Sequence, residues 1–192
     1  MLESPTHSDD GLLRLIEDGD ERAFTALYRW HQGSVYRFAL QMSGKTEIAE
    51  EVTQEVFFFL IRNLKQYDPA RGLLASYLLG VARNFVFRCF ERDRAYVTVI
   101  DDPENEHVDR IVDTRDLLSD LTRNERIEGL RKAVLALPPN YREVVVLCDL
   151  HELDYTEAAE ILQCAVGTIR SRLHRARTLL MEKMRAGERC SA

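Results

Sequence analysis

Four polar side chains near the end of the chain recur at intervals that place them on one face of a helix. A guanidinium group on such a face can bond a guanine edge bidentately or clamp a phosphate, and hydroxyl and imidazole groups can add hydrogen bonds. Between residues 166 and 192, seven Arg or Lys accompany only two Glu, although the whole chain has a formal net charge of −6. A basic footprint confined to one segment favours DNA binding there. The candidate DNA contacts are Arg170, Ser171, His174 and Arg175.

Two helices joined by a short turn would position this face. The first begins at Asp154, with Glu157 three residues later as in a capping box, and residues 163–167 break the helix. The pattern predicts a helix-turn-helix, which reads the major groove with its second helix. A solvated helical hairpin remains the alternative, since amphipathic helices with exposed Arg are common. The apolar stripe expected to bury the second helix is Ile169, Leu173, Ala176 and Leu180.

The first half of the chain is also predicted to be helical, over residues 11–17, 21–42, 47–64 and 73–94. Acidic residues crowd the first turns of the third helix, where Ile48, Val52, Val56, Phe59 and Leu60 form the predicted core stripe. Phe57, Phe58 and Phe59 are consecutive, and helical positions step by about 100°. At least one of the three should therefore be exposed or covered by a partner protein.

The helix predicted over residues 73–94 follows a Pro- and Gly-containing turn and mixes Arg with aromatic side chains. This mixture suits single-stranded nucleic acid, whose bases stack on rings while Arg follows the backbone. Core packing with a solvated Arg face is the favoured interpretation of the pattern alone.

Composition narrows the classes of protein further. No run approaches the ~18 apolar residues of a membrane span, and no secretory signal begins the chain, so we expect a cytoplasmic protein without membrane insertion. The four cysteines form no CxxC pair and are expected to be reduced thiols. Pairing Cys148 with His151, or Cys164 with His174, gives a poor zinc set, so no metal is predicted.

An acidic segment divides the chain. Residues 96–128 contain ten Asp or Glu and four Arg, with few apolar residues, which indicates an exposed linker. We therefore predict a first domain at 1–95, a linker at 96–127 and a second domain at 128–192.

Three strings give the chain a resemblance to a known family. They are AEEVTQEVFFFLIRNLKQYDPARG at 49–72, VARN at 81–84, and LPPNYREVVVLCDLHELDYTEAAEILQCAVGTIRSRLHRAR at 137–177. In this order and spacing, the chain resembles bacterial RNA polymerase sigma factors of the extracytoplasmic function (ECF) group. The resemblance covers nearly the full length. It implies an all-α fold of two small helical domains, sigma regions 2 and 4, joined by a flexible acidic linker.

The resemblance also implies roles for particular residues. Region 2 would bind the clamp of core RNA polymerase and open the promoter at the minus-10 element, and region 4 would read the minus-35 element through the four contacts named above. The implied polymerase contacts are Glu50, Glu51, Thr53, Gln54 and Glu55. The implied minus-10 contacts are Asp68, Arg71, Arg83, Asn84 and Arg88, with Arg92 also following the phosphates.

The implied partners are core RNA polymerase, promoter DNA and an anti-sigma factor, without a cofactor. A stand-alone helix-turn-helix regulator, which would not need polymerase, is the alternative; a purely structural helical domain is a third interpretation. An enzyme is not expected, because the sequence shows no nucleophile set, metal set or phosphate-binding loop.

Overall fold

The structure of the chain is a computed structural model that describes residues 8–99 and 121–190. These residues form helices joined by short turns, with no strand among them, and the predicted all-α class is confirmed. The first domain contains α1 (Asp9–Glu17), α2 (Glu21–Ser43), α3 (Thr46–Arg62) and α4 (Leu74–Val99). The second contains α5 (Leu121–Leu135), α6 (Pro139–Val145), α7 (Tyr155–Ile161) and α8 (Val166–Cys190).

Local signals in the sequence fix the ends of α2. The Asp20 carboxylate accepts hydrogen bonds from the backbone N–H groups of Arg22 and Ala23, at 2.8 and 3.3 Å, and so caps the helix. The helix ends at Ser43 and is capped by Gly44, which has a φ of 72° in the left-handed region. This conformation favours glycine, and a Cβ atom at Gly44 would also lie 2.8 Å from Cδ1 of Leu135, whose side chain would have to shift.

The core of the first domain lies between α2, α3 and α4. Ile48, Val52, Val56 and Leu60 are buried as the α3 stripe predicts. The prediction for the aromatic run was partly wrong, because the core residue is Phe57, which is 2% exposed, while Phe59 is only partly buried. The ring of Phe57 packs edge-on against Tyr28 of α2, with centroids 4.7 Å apart. Phe58 is 54% exposed, as the stepping of helical positions requires for one of the three.

The described helices reach into the predicted linker from both sides. Helix α4 continues to Val99 and α5 already begins at Leu121. The remaining linker residues, 100–120, lie outside the described part of the chain.

The two domains pack against each other through α2 and the end of α5. Arg142 of α6 donates from Nη1 to the Met42 carbonyl at 2.5 Å, which joins the second domain to the end of α2. Its Nη2 donates to the carbonyls of Leu137, at 3.1 Å, and Leu135. One guanidinium group therefore holds three backbone acceptors from both domains together.

A π-helical segment, Val146–Leu150, continues α6 and brings His151 to the same interface. The segment closes with a hydrogen bond from the His151 N–H to the Val146 carbonyl at 3.0 Å. The ring of His151 then faces α2, where its centroid lies 5.8 Å from that of Phe38. Helix α6 thus continues without a break into a segment that is wound more widely than an α-helix.

Candidate nucleic-acid and polymerase interfaces

The helix-turn-helix has the local structure that its sequence predicts. The Asp154 carboxylate accepts from the N–H groups of Thr156 and Glu157 at 2.7 and 2.8 Å, and Glu157 accepts from the Asp154 N–H at 3.1 Å. Both halves of the capping box are therefore formed. The turn after α7 contains Gln163 in a left-handed conformation, with a φ of 49°. Helix α8 starts at Val166, inside the break predicted over residues 163–167.

Helix α8 places the predicted DNA contacts on its exposed side. The apolar stripe is buried in full, with Ile169 and Ala176 at 0% exposure. The opposite side, which we call the recognition face, consists of exposed Arg170, Ser171, His174 and Arg175. The Ser171 hydroxyl donates to the Thr168 carbonyl at 3.0 Å and is thus already engaged by the helix backbone. Arg170 and Arg175 provide more hydrogen-bond donors than the other side chains of the recognition face, because each guanidinium group carries five N–H donors.

A neighbouring arginine on α8 has a structural contact instead. The guanidinium group of Arg177 donates to both carboxylate oxygens of Asp149, from Nη2 at 2.6 Å and from Nε at 3.1 Å. This hydrogen bonding raises the pKa of Arg177. The pair ties α8 to the π-helical segment and so fixes the orientation of the recognition face.

A groove of about 760 Å³ lies beside the first turns of α4, and we call it the α4 groove. Four of the five predicted minus-10 contacts line it, which are Asp68, Arg71, Arg83 and Asn84. The fifth, Arg88, is not among the lining residues, and its guanidinium group lies 5.3 Å from the centre of the Phe85 ring. The structure thus brings together four of the residues that the resemblance implies and leaves Arg88 outside the groove lining.

Two tyrosines that were not among the predicted contacts also line the α4 groove. The rings of Tyr67 and Tyr77 lie 5.4 Å apart, and the Tyr67 hydroxyl donates to the Gly72 carbonyl at 3.1 Å. The Asp68 carboxylate accepts from the Ala70 N–H at 3.0 Å and caps a short 3₁₀ turn. Aromatic residues flanking a Pro- and Gly-containing turn are the signal that could have identified these rings. They offer stacking surfaces for unpaired bases.

Two of the α4 arginines are paired with carboxylates. Nε of Arg83 donates to Glu143 of the second domain, and the Arg83 guanidinium group lies 4.9 Å from the Phe87 ring centre. Arg92 bonds Glu51 with both terminal nitrogens, at 2.6 and 2.9 Å. The second contact holds the pKa of Glu51 below its usual value. Arg83 and Arg92 are therefore not simple solvated charges.

The predicted polymerase contacts are divided between the surface and the interior of α3. Glu50, Gln54 and Glu55 are exposed, whereas Thr53 is 5% exposed and its hydroxyl donates to the Ala49 carbonyl at 2.7 Å. Gln54 lies four residues before Phe58 and seven before Ile61, so these three share one side of α3. Phe58 and Ile61 are both exposed. The α3 face, defined as Glu50, Gln54, Glu55, Phe58 and Ile61, thus combines acidic and apolar groups.

The predictions about metal ions, thiols and membrane spans can also be compared with the structure. Among the residues that the structure describes, no three His, Cys, Asp or Glu side chains are grouped so as to hold a metal ion. Cys89, Cys148 and Cys164 are free thiols, and burial raises the pKa of Cys148 to about 11. No helix in the described ranges is long and apolar enough to cross a membrane.

Two family models match this chain, one in each domain. Residues 27–95 match sigma-70 region 2, and residues 127–180 match sigma-70 region 4. The first match contains the α3 face and the lining residues of the α4 groove from the first domain; the second contains the recognition face and the remaining lining residues of the groove. A stand-alone helix-turn-helix regulator is not supported.

Curated relatives narrow the assignment. ECF RNA polymerase sigma factor SigE of Mycolicibacterium smegmatis is 32% identical over 182 residues, a match that covers 93% of this chain and 69% of the relative. SigM of Bacillus subtilis, also an ECF sigma factor, is 31% identical over 154 residues, covering 80% and 90%. The chain belongs to the ECF RNA polymerase sigma factors of the sigma-70 family.

A solved structure has the same fold. The sigma factor RpoE in complex with the anti-sigma factor NepR, from Bartonella quintana, aligns with a TM-score of 0.69 at 24% identity. The alignment covers 84% of this chain and 96% of that one.

Proposed function

We propose that this sigma factor directs core RNA polymerase to promoters by using the recognition face for the minus-35 duplex and the α4 groove for the minus-10 single strand. The observation that carries this proposal is that one chain presents two dissimilar surfaces, each of which has the chemistry to bind a different form of nucleic acid. One is a convex basic helix suited to a major groove. The other is a concave site with paired aromatic rings and a free amide, suited to unstacked bases.

The residues of the α4 groove suggest how strand opening is driven. The exposed amide of Asn84 offers both a donor and an acceptor to the edge of a flipped base. Tyr67 and Tyr77 supply ring surfaces, and Arg71 supplies an exposed positive charge that would attract the phosphates of a bound strand. Binding energy for unpaired bases would then offset the cost of unstacking. The chain itself would catalyse no reaction, and RNA synthesis would belong to the polymerase, in the cytoplasm.

The α3 face is proposed as the docking surface for core polymerase. Its carboxylates are suited to a basic partner surface, and its exposed Phe58 and Ile61 gain from burial. Thr53 would act from inside the helix, by its hydrogen bond to Ala49, and not as a direct contact. An anti-sigma factor is the proposed protein regulator, as for the sigma factors solved with such partners.

The decisive experiment combines a pull-down with transcription. Purified chain is mixed with bacterial core RNA polymerase, and run-off transcription is then performed on a library of random promoter sequences. Co-purification with new, discrete start sites is expected, and the selected templates would give both promoter elements. Duplex binding without any association with core polymerase would overturn the proposal.

A further inference from the structure

The carboxylate of Glu143, which is 1% exposed, belongs to the second domain but bonds Arg83 of the first. Arg83 lines the α4 groove, where we propose that the minus-10 strand binds. Carboxylate and phosphate oxygens are alternative acceptors for the same guanidinium donors. Glu143 therefore occupies a donor that a DNA phosphate would otherwise use.

A second carboxylate repeats this relationship farther along the groove. The Ser76 hydroxyl, on the first turn of α4, donates to Oε1 of Glu157 at 3.2 Å, while Oε2 of Glu157 serves the capping box of α7. Glu160, Ile161 and Gln163 also line the groove from the second domain. One wall of the α4 groove is thus built by α7 and the turn after it, with two carboxylates among its four side chains.

From these contacts we propose that the second domain is an internal competitor for the minus-10 strand. In the closed arrangement described by the structure, Glu143 and Glu157 occupy groove donors, and the negative wall repels a phosphate backbone. Single-stranded DNA can enter only when the domains separate. This inference rests on the proposed function of the α4 groove and adds to it a restraint within the free chain.

The restraint is reversible because the contacts across the groove are polar. Burying an ion pair removes two charges from water, and this cost offsets much of the attraction between them. When the domains separate, water solvates Arg83 and Glu143 again. This solvation offsets the lost attraction, so the ion pair alone does not hold the closed arrangement together. A partner that binds the separated domains better would shift the population toward the open arrangement.

The competition affects only one of the two DNA surfaces. Arg170, Ser171, His174 and Arg175 are all exposed in the closed arrangement, whereas Arg83 is paired. The free chain is therefore expected to bind minus-35 duplex readily and minus-10 single strand poorly. Duplex binding would come first and strand capture second.

The test compares two variants with the same change in formal charge. Glu143→Gln weakens the contact with Arg83, and Glu182→Gln neutralises an exposed carboxylate on α8 as the matched control. Fluorescence anisotropy measures their affinity for a minus-10 single strand and a minus-35 duplex, both taken from promoters selected by run-off transcription. We expect Glu143→Gln to bind the single strand at least threefold more tightly than the native chain, with duplex affinity matching that of Glu182→Gln. Equal single-strand affinity for the two variants would overturn the competition.

A second measurement keeps the interface intact, in case Glu143→Gln does not fold. Dyes are attached at Arg62→Cys and Glu182→Cys, both exposed positions, in a chain whose four native cysteines are replaced by alanine. Energy transfer between the domains should fall when the minus-10 single strand is added and stay constant when the minus-35 duplex is added. Constant transfer at saturating single strand would overturn the proposal. Selected promoters from the native chain would still support the proposed function, so the two failures can be told apart.

Discussion

Nε2 of His151 lies 3.1 Å from Oε1 of Gln41, so a side chain of the second domain donates a hydrogen bond to α2 of the first. On the other edge of the ring, Nδ1 lies 3.3 Å from the hydroxyl of Ser34, which can donate to it. This arrangement is satisfied by the neutral imidazole with its proton on Nε2. Burial, and secondarily the positive charge of Arg37, lowers the pKa of His151 to about 4.

Acid should therefore weaken the contact between the domains. When they separate, His151 regains its ordinary pKa of 6.5, so the open arrangement binds a proton more readily than the closed one. The closed arrangement is fully favoured above pH 6.5 and loses stability as the pH falls toward 4. The expected loss is about 1–2 kcal/mol at pH 5, since the ring is only partly buried.

Energy transfer in the doubly labelled chain measures this dependence between pH 7.5 and 5. His151→Gln is the matched control, because its amide can donate to Gln41 but does not titrate. Energy transfer should decrease as the pH is lowered in the labelled chain that retains His151, and it should change much less in the His151→Gln variant. An equal fall in both would exclude His151 as the titrating group.

Gly72 fixes the shape of the loop beside the α4 groove. Its φ of 145° and ψ of 179° belong to a region that essentially only glycine adopts, although a Cβ atom there would meet open space. Gly72→Ala should therefore strain the loop by about 1–3 kcal/mol, by conformation and not by collision. The exposed loop is expected to relieve this strain by changing its conformation, so binding of the minus-10 single strand should weaken while the thermal midpoint of the protein changes little.

Gly129→Ala is the matched control for that substitution. Gly129 lies inside α5, where a Cβ also meets open space, and alanine is the better helix former by about 1 kcal/mol. This variant should be slightly more stable and bind the single strand unchanged. If Gly72→Ala binds the single strand with native affinity, the conformation of this loop does not contribute to the minus-10 site.

Sequence periodicity predicted the features that depend only on the geometry of one helix. The buried stripe of α8, its exposed face and the capping box at Asp154 all follow from spacings of three or four residues. The assignment of Phe59 to the core failed because Phe57 and Phe59 both lie near the edge of the stripe. Which one is buried depends on α2, where Tyr28 receives the ring of Phe57.

Contacts between the domains could not be predicted in this way. Arg83 and Glu143 are separated by 60 residues and a linker, and their spacing carries no information about pairing. The sequence grouped Arg83 with Arg88 and Arg92 as similar charges on one helix. The structure gives each a different neighbour: Glu143, the Phe85 ring and Glu51.

Asn84→Ala should impair promoter opening more than duplex binding. The Asn84 amide is exposed in the α4 groove, where it would meet a base only after that base leaves the duplex. The expected loss is about 1–2 kcal/mol in opening, measured by permanganate reactivity of minus-10 thymines in the complex with polymerase. Asn140→Ala, at an exposed asparagine of α6, should leave opening unchanged. Equal losses in duplex binding and opening for Asn84→Ala would contradict base capture.

Arg170→Ala or Arg175→Ala should weaken minus-35 recognition by about 1–3 kcal/mol if the arginine bonds a base bidentately. Titration of a selected minus-35 duplex measures the effect. Lys183→Ala, at an exposed position later on α8, controls for the loss of a positive charge. A base contact is also expected to relax specificity at one position, whereas a phosphate contact weakens all sequences alike. Native affinity in both arginine variants would remove the recognition face from minus-35 binding.

Phe57 and Phe58 should separate stability from polymerase binding, although they are neighbours in the chain. Phe57→Ala removes a core ring that is 2% exposed and should cost about 3–5 kcal/mol of folding free energy. Phe58→Ala removes a ring that is 54% exposed, so the thermal midpoint should hardly change. If the α3 face docks on core polymerase, Phe58→Ala should instead weaken that complex by about 1–3 kcal/mol.

Met181→Ala provides the matched control, since Met181 is 53% exposed but belongs to α8 of the second domain. Competition for core polymerase against a labelled native chain measures the affinity of each variant, and calorimetry measures its stability. A stable Phe58→Ala chain that competes as well as the native protein would place the polymerase contact elsewhere on region 2. A large loss confined to Phe58→Ala would identify this ring as an anchor, because the control loses a similar exposed apolar side chain.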